Sequence, residues 1–80
     1  MGTAHAQKKA VQYAARGLRG EILAKRHSRT PLTHACLVLL YDGRKRVQGW
    51  GSKAEAEASR ARALVQPDVE RALVITTSAA

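Results

Sequence analysis

Phenylalanine is absent from this 80-residue chain, Trp, Met and Cys occur once each, and Tyr occurs twice. With so few large side chains the core must be thin. A chain of this length buries only about 60–65% of its unfolded surface, and much of the 45% hydrophobic fraction is Ala. One Cys excludes a disulfide framework and a Cys-based zinc site. A lone thiol suits a reducing compartment, so a cytoplasmic location is expected. No run approaches the eighteen apolar residues of a membrane span, and MGTAHAQKKAVQYAARG lacks the apolar block of an export signal. Acidic residues are also scarce: six Asp and Glu stand against fourteen Lys and Arg, a formal charge of +8. The length allows one domain, residues 1–80.

The first segment reads as a helix over Thr3 to His27. Val11, Ala14, Ala15, Leu18 and Ile22 fall at i, i+3, i+4, i+7 and i+11, one narrow apolar stripe. Lys8, Lys9, Arg16, Arg19 and Arg26 form a cationic stripe beside it. Gly17 and Gly20 each cost up to about 1 kcal/mol in a helix interior, so a bend is expected there, and Pro31 pushes Thr30 out of the helical region.

His34 to Tyr41 is apolar at nearly every position, as in a strand covered on both faces. Asp42-Gly43 signals a two-residue hairpin turn, returning through Arg44 to Trp50. In that register Tyr41 opposes Arg44, Leu39 opposes Arg46 and Val38 opposes Val47. One face then carries Cys36, Val38, Leu40 and Val47. The other carries Leu37, Leu39, Tyr41, Arg44, Arg46, Gln48 and Trp50. Ser52-Lys53-Ala54-Glu55 is a capping box opening a helix to about Gln66, with Ala54, Ala58, Ala61 and Val65 as its core face. Pro67-Asp68 ends it, and Arg71 to Thr77 is a last strand followed by a polar tail. The expected fold is therefore α+β, order α-β-β-α-β. Two helices share one face of a three-stranded antiparallel sheet, whose most apolar strand is central, giving strand order 2-1-3.

Catalysis finds little footing. His5, His27 and His34 share no metal-ligand spacing, and Cys36 lies inside an apolar strand where a thiol is inert. Asp42 is accounted for by a turn and Glu55 by a cap. Glu57 belongs to a solvated face, and Asp68 and Glu70 flank a loop, so no carboxylate pair is left for acid–base work. Gly49-Trp50-Gly51 matches no phosphate-binding glycine pattern. A non-enzyme without cofactor or metal is expected.

Charge points to binding. Lys8, Lys9, Arg16, Arg19, Lys25, Arg26 and Arg29 crowd the N-terminal third, and Arg44, Lys45 and Arg46 sit at the hairpin. Basic patches attract phosphates; a solvated face that keeps a small protein soluble is the alternative. If both helices cover one sheet face, the opposite face exposes Leu37, Leu39, Tyr41 and Trp50, a patch of the kind that marks an interface. That face and an unpaired edge strand predict a two-fold homodimer. If instead the first helix covers this face, the patch is ordinary core.

Two resemblances follow from these residues. The stretch Leu37-Val38-Leu39-Leu40-Tyr41-Asp42-Gly43-Arg44-Lys45-Arg46-Val47-Gln48-Gly49, followed by an Ala-rich helix, resembles small phage-encoded anti-CRISPR proteins over about half the chain. The resemblance implies a compact, non-catalytic inhibitor that covers a protein subunit of a nucleic-acid-processing complex. Its basic character speaks against DNA mimicry. The expected contact surface is Tyr41, Arg44, Lys45, Arg46 and Trp50. The basic hairpin followed by Gly49-Trp50-Gly51-Ser52 is also similar to the arm-type DNA-binding domains of phage integrases, which read DNA with a three-stranded sheet. The competing expectation is thus a direct nucleic-acid-binding module using Lys8, Lys9, Arg16, Arg19 and Arg26 together with the hairpin.

Overall fold

A computed structural model describes residues 9–80 and gives the order β-β-β-β-α-β. The elements are β1 (Val11–Arg16), β2 (Ile22–Ser28), β3 (His34–Leu40), β4 (Lys45–Gly51), α1 (Lys53–Leu64) and β5 (Val69–Ala79). All five strands join one antiparallel sheet of order β2-β1-β5-β3-β4. The expected three strands and two helices are therefore corrected to five strands and one helix.

The largest correction is at the N-terminal end. Where a helix over Thr3 to His27 is expected, β1 and β2 form a hairpin; Thr3 to Lys8 lie outside the described residues. Val11, Tyr13 and Ala15 offer a competing period of two. Tyr13 and Ala15 lie on one face of β1 and pair with Arg26 and Ala24. Gly17 and Gly20, costly inside a helix, bracket the turn instead. Gly17 N–H donates to the Glu21 carbonyl at 2.8 Å, and Gly20 N–H donates to the Gly17 carbonyl at 3.0 Å. Gly20 has φ +81°. Leu18, counted in the helical stripe, is 92% exposed at the tip.

The β3–β4 turn has the same geometry. Leu40 N–H donates to the Arg44 carbonyl and Gly43 N–H donates to the Leu40 carbonyl, both at 2.9 Å. Only Gly43 (φ +89°) takes the left-handed conformation; Asp42 does not. The loop is thus three residues, Tyr41-Asp42-Gly43, with a bulge at Gly43, rather than the two expected. The register moves by one: Leu39 faces Lys45, Val38 faces Arg46 and Leu37 faces Val47. A one-residue slip exchanges faces. Val47 therefore joins Leu37 and Leu39, while Arg46 and Gln48 turn to the opposite side with Val38 and Cys36. A second irregularity, between His34 and Cys36, lies at Gly49 (φ +64°) and returns Trp50 to the Leu37 side.

Two cores result. On one side of the sheet, Cys36, Val38 and Leu40 of β3 meet Val69 and Ala72 of β5 and Ala63 of α1. The capping box of α1 is present: Glu55 N–H donates to Ser52 Oγ at 3.2 Å, and Ser52 N–H donates to Glu55 Oε1 at 3.3 Å. The face of α1 that packs is Ala56, Ser59 and Ala63; the expected Ala54, Ala58, Ala61 and Val65 are exposed. On the other side, the sheet curls so that Ala15 of β1 and Leu23 of β2 pack with Ala35, Leu37, Val47, Trp50 and Ile75. The face expected to be bare, and to drive dimerisation, is thus covered by the N-terminal hairpin. The expected order of the three C-terminal strands, β4-β3-β5, is the order found. The expected polar tail is part of β5: Thr77, Ser78 and Ala79 pair with β1.

Candidate functional site

The curl brings the two edge strands toward each other. Leu23 and Ala24 of β2 face Lys45, Arg46 and Val47 of β4 across a shallow cleft of about 230 Å³ floored by Leu37. An irregularity between Ala15 and Arg16 puts both Leu23 and Ala24 at this mouth. Small-molecule pockets usually enclose about 300–1,000 Å³, so the cleft is too small and too open to hold a cofactor. Its borders are cationic. Lys25, Arg26 and His27 are all exposed on β2, Arg29 follows in the next loop, and Arg44 and Lys45 are exposed on the facing hairpin. From Ile22 to Tyr41 there is no acidic residue. Among the described residues the one ion pair joins Arg44 Nε to Asp42 Oδ2 at 2.6 Å. The cations of β2 are therefore uncompensated.

The five residues expected to form one contact surface are separated. Tyr41 is 69% exposed on the turn. Arg44 is exposed but held by Asp42, whose Oδ1 also accepts the Arg44 N–H at 2.9 Å. That backbone hydrogen bond, followed by the side-chain one and the guanidinium charge, keeps the Asp42 carboxyl below its ordinary value. Lys45 stands at the cleft. Arg46 crosses to the α1 side, where its guanidinium donates to Gln48 Oε1 and to Gln66 Oε1, both at 2.8 Å. Gln48 in turn donates to Ser59 Oγ at 2.9 Å, so Arg46 belongs to a network that ties α1 to β4. Trp50 is half-buried against the second core.

Of the competing set, Lys8 lies outside the described residues. Lys9, Arg19 and Arg26 are exposed. Arg16 is half-buried and donates to Ser78 Oγ at 3.3 Å and to the Gly20 carbonyl at 3.2 Å. The expected stripe along a helix becomes cations spread along a strand, where consecutive residues such as Lys25 and Arg26 face opposite sides. Lys25 and Arg29, counted in the basic N-terminal third but not in the expected contact set, are exposed beside Arg26, as is His27. The signal for this strand was present: the apolar Ile22-Leu23-Ala24 and the basic Lys25-Arg26-His27 lie between two turn-forming stretches.

Cys36 is buried, and that burial raises its thiol pKa above the ordinary value. His34 Nδ1 lies 2.9 Å from Thr33 Oγ1. Among the described residues no three His, Cys, Asp or Glu side chains gather as metal ligands, and no helix is long and apolar enough to cross a membrane. Compared with protein-family models, curated proteins and solved structures, the chain matches none.

Proposed function

We propose that this domain is a non-catalytic module that holds a nucleic-acid backbone along its cationic edge strand. The observation that carries the reading is the uncompensated cations of β2, with Arg26 on the face it shares with Lys45 across the open side of the curled sheet, Lys25 and His27 on the opposite face, and Arg29 beyond them. Phosphates bind such cations by displacing counterions, a process that needs no deep pocket. Cations on an edge strand also discourage strand-to-strand aggregation. That role alone predicts no affinity for DNA. The test is fluorescence anisotropy with a labelled duplex at two salt concentrations. Wild-type protein should bind at low salt and release as salt rises. Lys25→Glu with Arg26→Glu should bind more weakly and with a salt slope shallower by about 2, about 1 for each phosphate no longer neutralised. A folded double variant that binds as wild type would sink the reading.

A second reading keeps the inhibitor role implied by the anti-CRISPR resemblance. It is favoured by Tyr41, a large exposed side chain on a hydrogen-bonded turn beside Arg44. In that case Tyr41→Ala should abolish inhibition of the effector complex, while Lys25→Glu with Arg26→Glu leaves it intact.

A further inference from the structure

The longest strand, β5, changes partners along its length. Along β3 it is covered from Val69 to Thr76, but β1 pairs only with Thr77, Ser78 and Ala79 before turning away at Gly17. Backbone groups alternate in direction along an antiparallel strand. Thr77 N–H donates to the Thr33 carbonyl, toward β3, and Ala80 N–H donates to the Gln12 carbonyl, toward β1. Ala72 and Val74, in step with Ala80, therefore point their N–H and C=O groups away from β3, where no strand of the described residues meets them. The Ala72 carbonyl is taken by a side chain instead: Arg60 Nε of α1 donates to it at 2.8 Å. The Ala72 N–H and both polar groups of Val74 point the same way, with Ala72 nearly covered at 3% exposure and Val74 half-buried.

This edge is the floor of the larger concavity, about 390 Å³, walled by Leu18 from the β1–β2 tip and by Glu57 and Arg60 from α1, with Arg71, Leu73 and Ile75 along the strand. Leu18 overhangs it at 92% exposure, an apolar side chain with nothing to cover among its own neighbours. We propose that an extended acidic–apolar peptide segment of a partner protein docks here as an added strand beside β5. A free edge supplies the main-chain hydrogen bonds, and the walls select side chains that alternate between the two faces. One face offers Leu18, Leu73 and Ile75 to an apolar residue and Arg71 to an acidic one; the other offers Arg60. A second copy of this chain fits the groove poorly. Pairing β5 with itself would bring Arg60 and Arg71 of two +8 molecules together. A nucleic acid lacks the amide groups that the edge would pair.

The test uses the whole chain labelled with ¹⁵N and an end-capped eight-residue peptide of alternating valine and glutamate. Addition up to about 1 mM, the weak end of specific binding, should shift the Ala72 and Val74 amides saturably and slow their hydrogen exchange. The same peptide N-methylated at alternate residues should leave both unchanged. Arg71→Glu and Leu18→Ser lie on exposed positions, so folding is retained; each should weaken peptide binding by about tenfold, and duplex binding by β2 should be unaffected. Three results would overturn the proposal. One is the absence of saturable shifts at Ala72 and Val74. Another is equal binding of the N-methylated peptide. The third is protection of both amides in peptide-free protein with a doubling of mass by light scattering, which would assign the edge to a second copy.

Discussion

Gly49 is the residue on which most of the local geometry turns. Its left-handed backbone carries the irregularity that sends Trp50 into the second core, and a Cβ there would collide with Ser59 of α1. Gly43 is equally left-handed, but a Cβ on it meets nothing within 4 Å. The pair separates backbone strain from steric overlap. Gly43→Ala should cost about 1–2 kcal/mol from the conformation alone. Gly49→Ala adds overpacking and should cost about 2–4 kcal/mol. Denaturant melts measure both; equal losses would mean that α1 does not lie against β4 as described. Cys36, fully buried beneath α1, gives a second check. Because burial raises its thiol pKa and excludes reagent, alkylation should run about 100-fold or more slower than in unfolded protein and follow local opening. Labelling at the rate of a free thiol would mean that α1 does not cover β3.

At the scale of elements, the sequence was legible where one period stood alone. The apolar run of β3, the capping box at Ser52 and the β4-β3-β5 order all follow from it. The N-terminal third was not legible by apolar periodicity, because Ala14 and Ala15, neighbours on a helical stripe, are small enough to be buried on opposite faces of a strand. The decision rested with Gly17 and Gly20, which read better as turn residues than as a tolerated helix cost. The packed face of α1 was not legible because its Ala residues lie on every side, and the burial of Ser59 is set by Gln48 and Gly49 on a neighbouring strand. The candidate site suffered in turn: one extra loop residue moved Arg46 to the opposite face. That three-residue loop is braced by Asp42, and its carboxyl is held below the ordinary value of 3.8 chiefly by the Arg44 N–H. A depressed carboxyl stabilises the fold above that value, and the contribution fades as pH falls through the lower folded value. Amide exchange at Gly43 and Arg44, corrected for intrinsic rates, should therefore loosen as pH falls below the ordinary carboxyl value of 3.8. Asp42→Asn should remove the pH dependence, and a wild-type acid profile in that variant would contradict the assignment.

At the scale of the whole molecule, a thin, Ala-rich core is stretched over a long curled sheet with its edges uncapped. Val38 and Cys36 are the largest fully buried side chains, so the domain lies near the low end of the stability expected for its size, about 0.05 kcal/mol per residue. The uncompensated charge lies along β2 and at Lys45, on either side of the opening, while Arg44 is paired with Asp42 and β5 and α1 carry their acids and bases together. That asymmetry is the ground for the proposed binding of nucleic acid at the opening of the curled sheet. The most direct measurement is amide chemical-shift mapping of the ¹⁵N-labelled protein titrated with a short DNA duplex at low salt. Fast, salt-reversible shifts are expected at Lys25, Arg26, His27 and Lys45, with α1 amides undisturbed. Shifts confined to α1 or β5, or none at any duplex concentration, would contradict it.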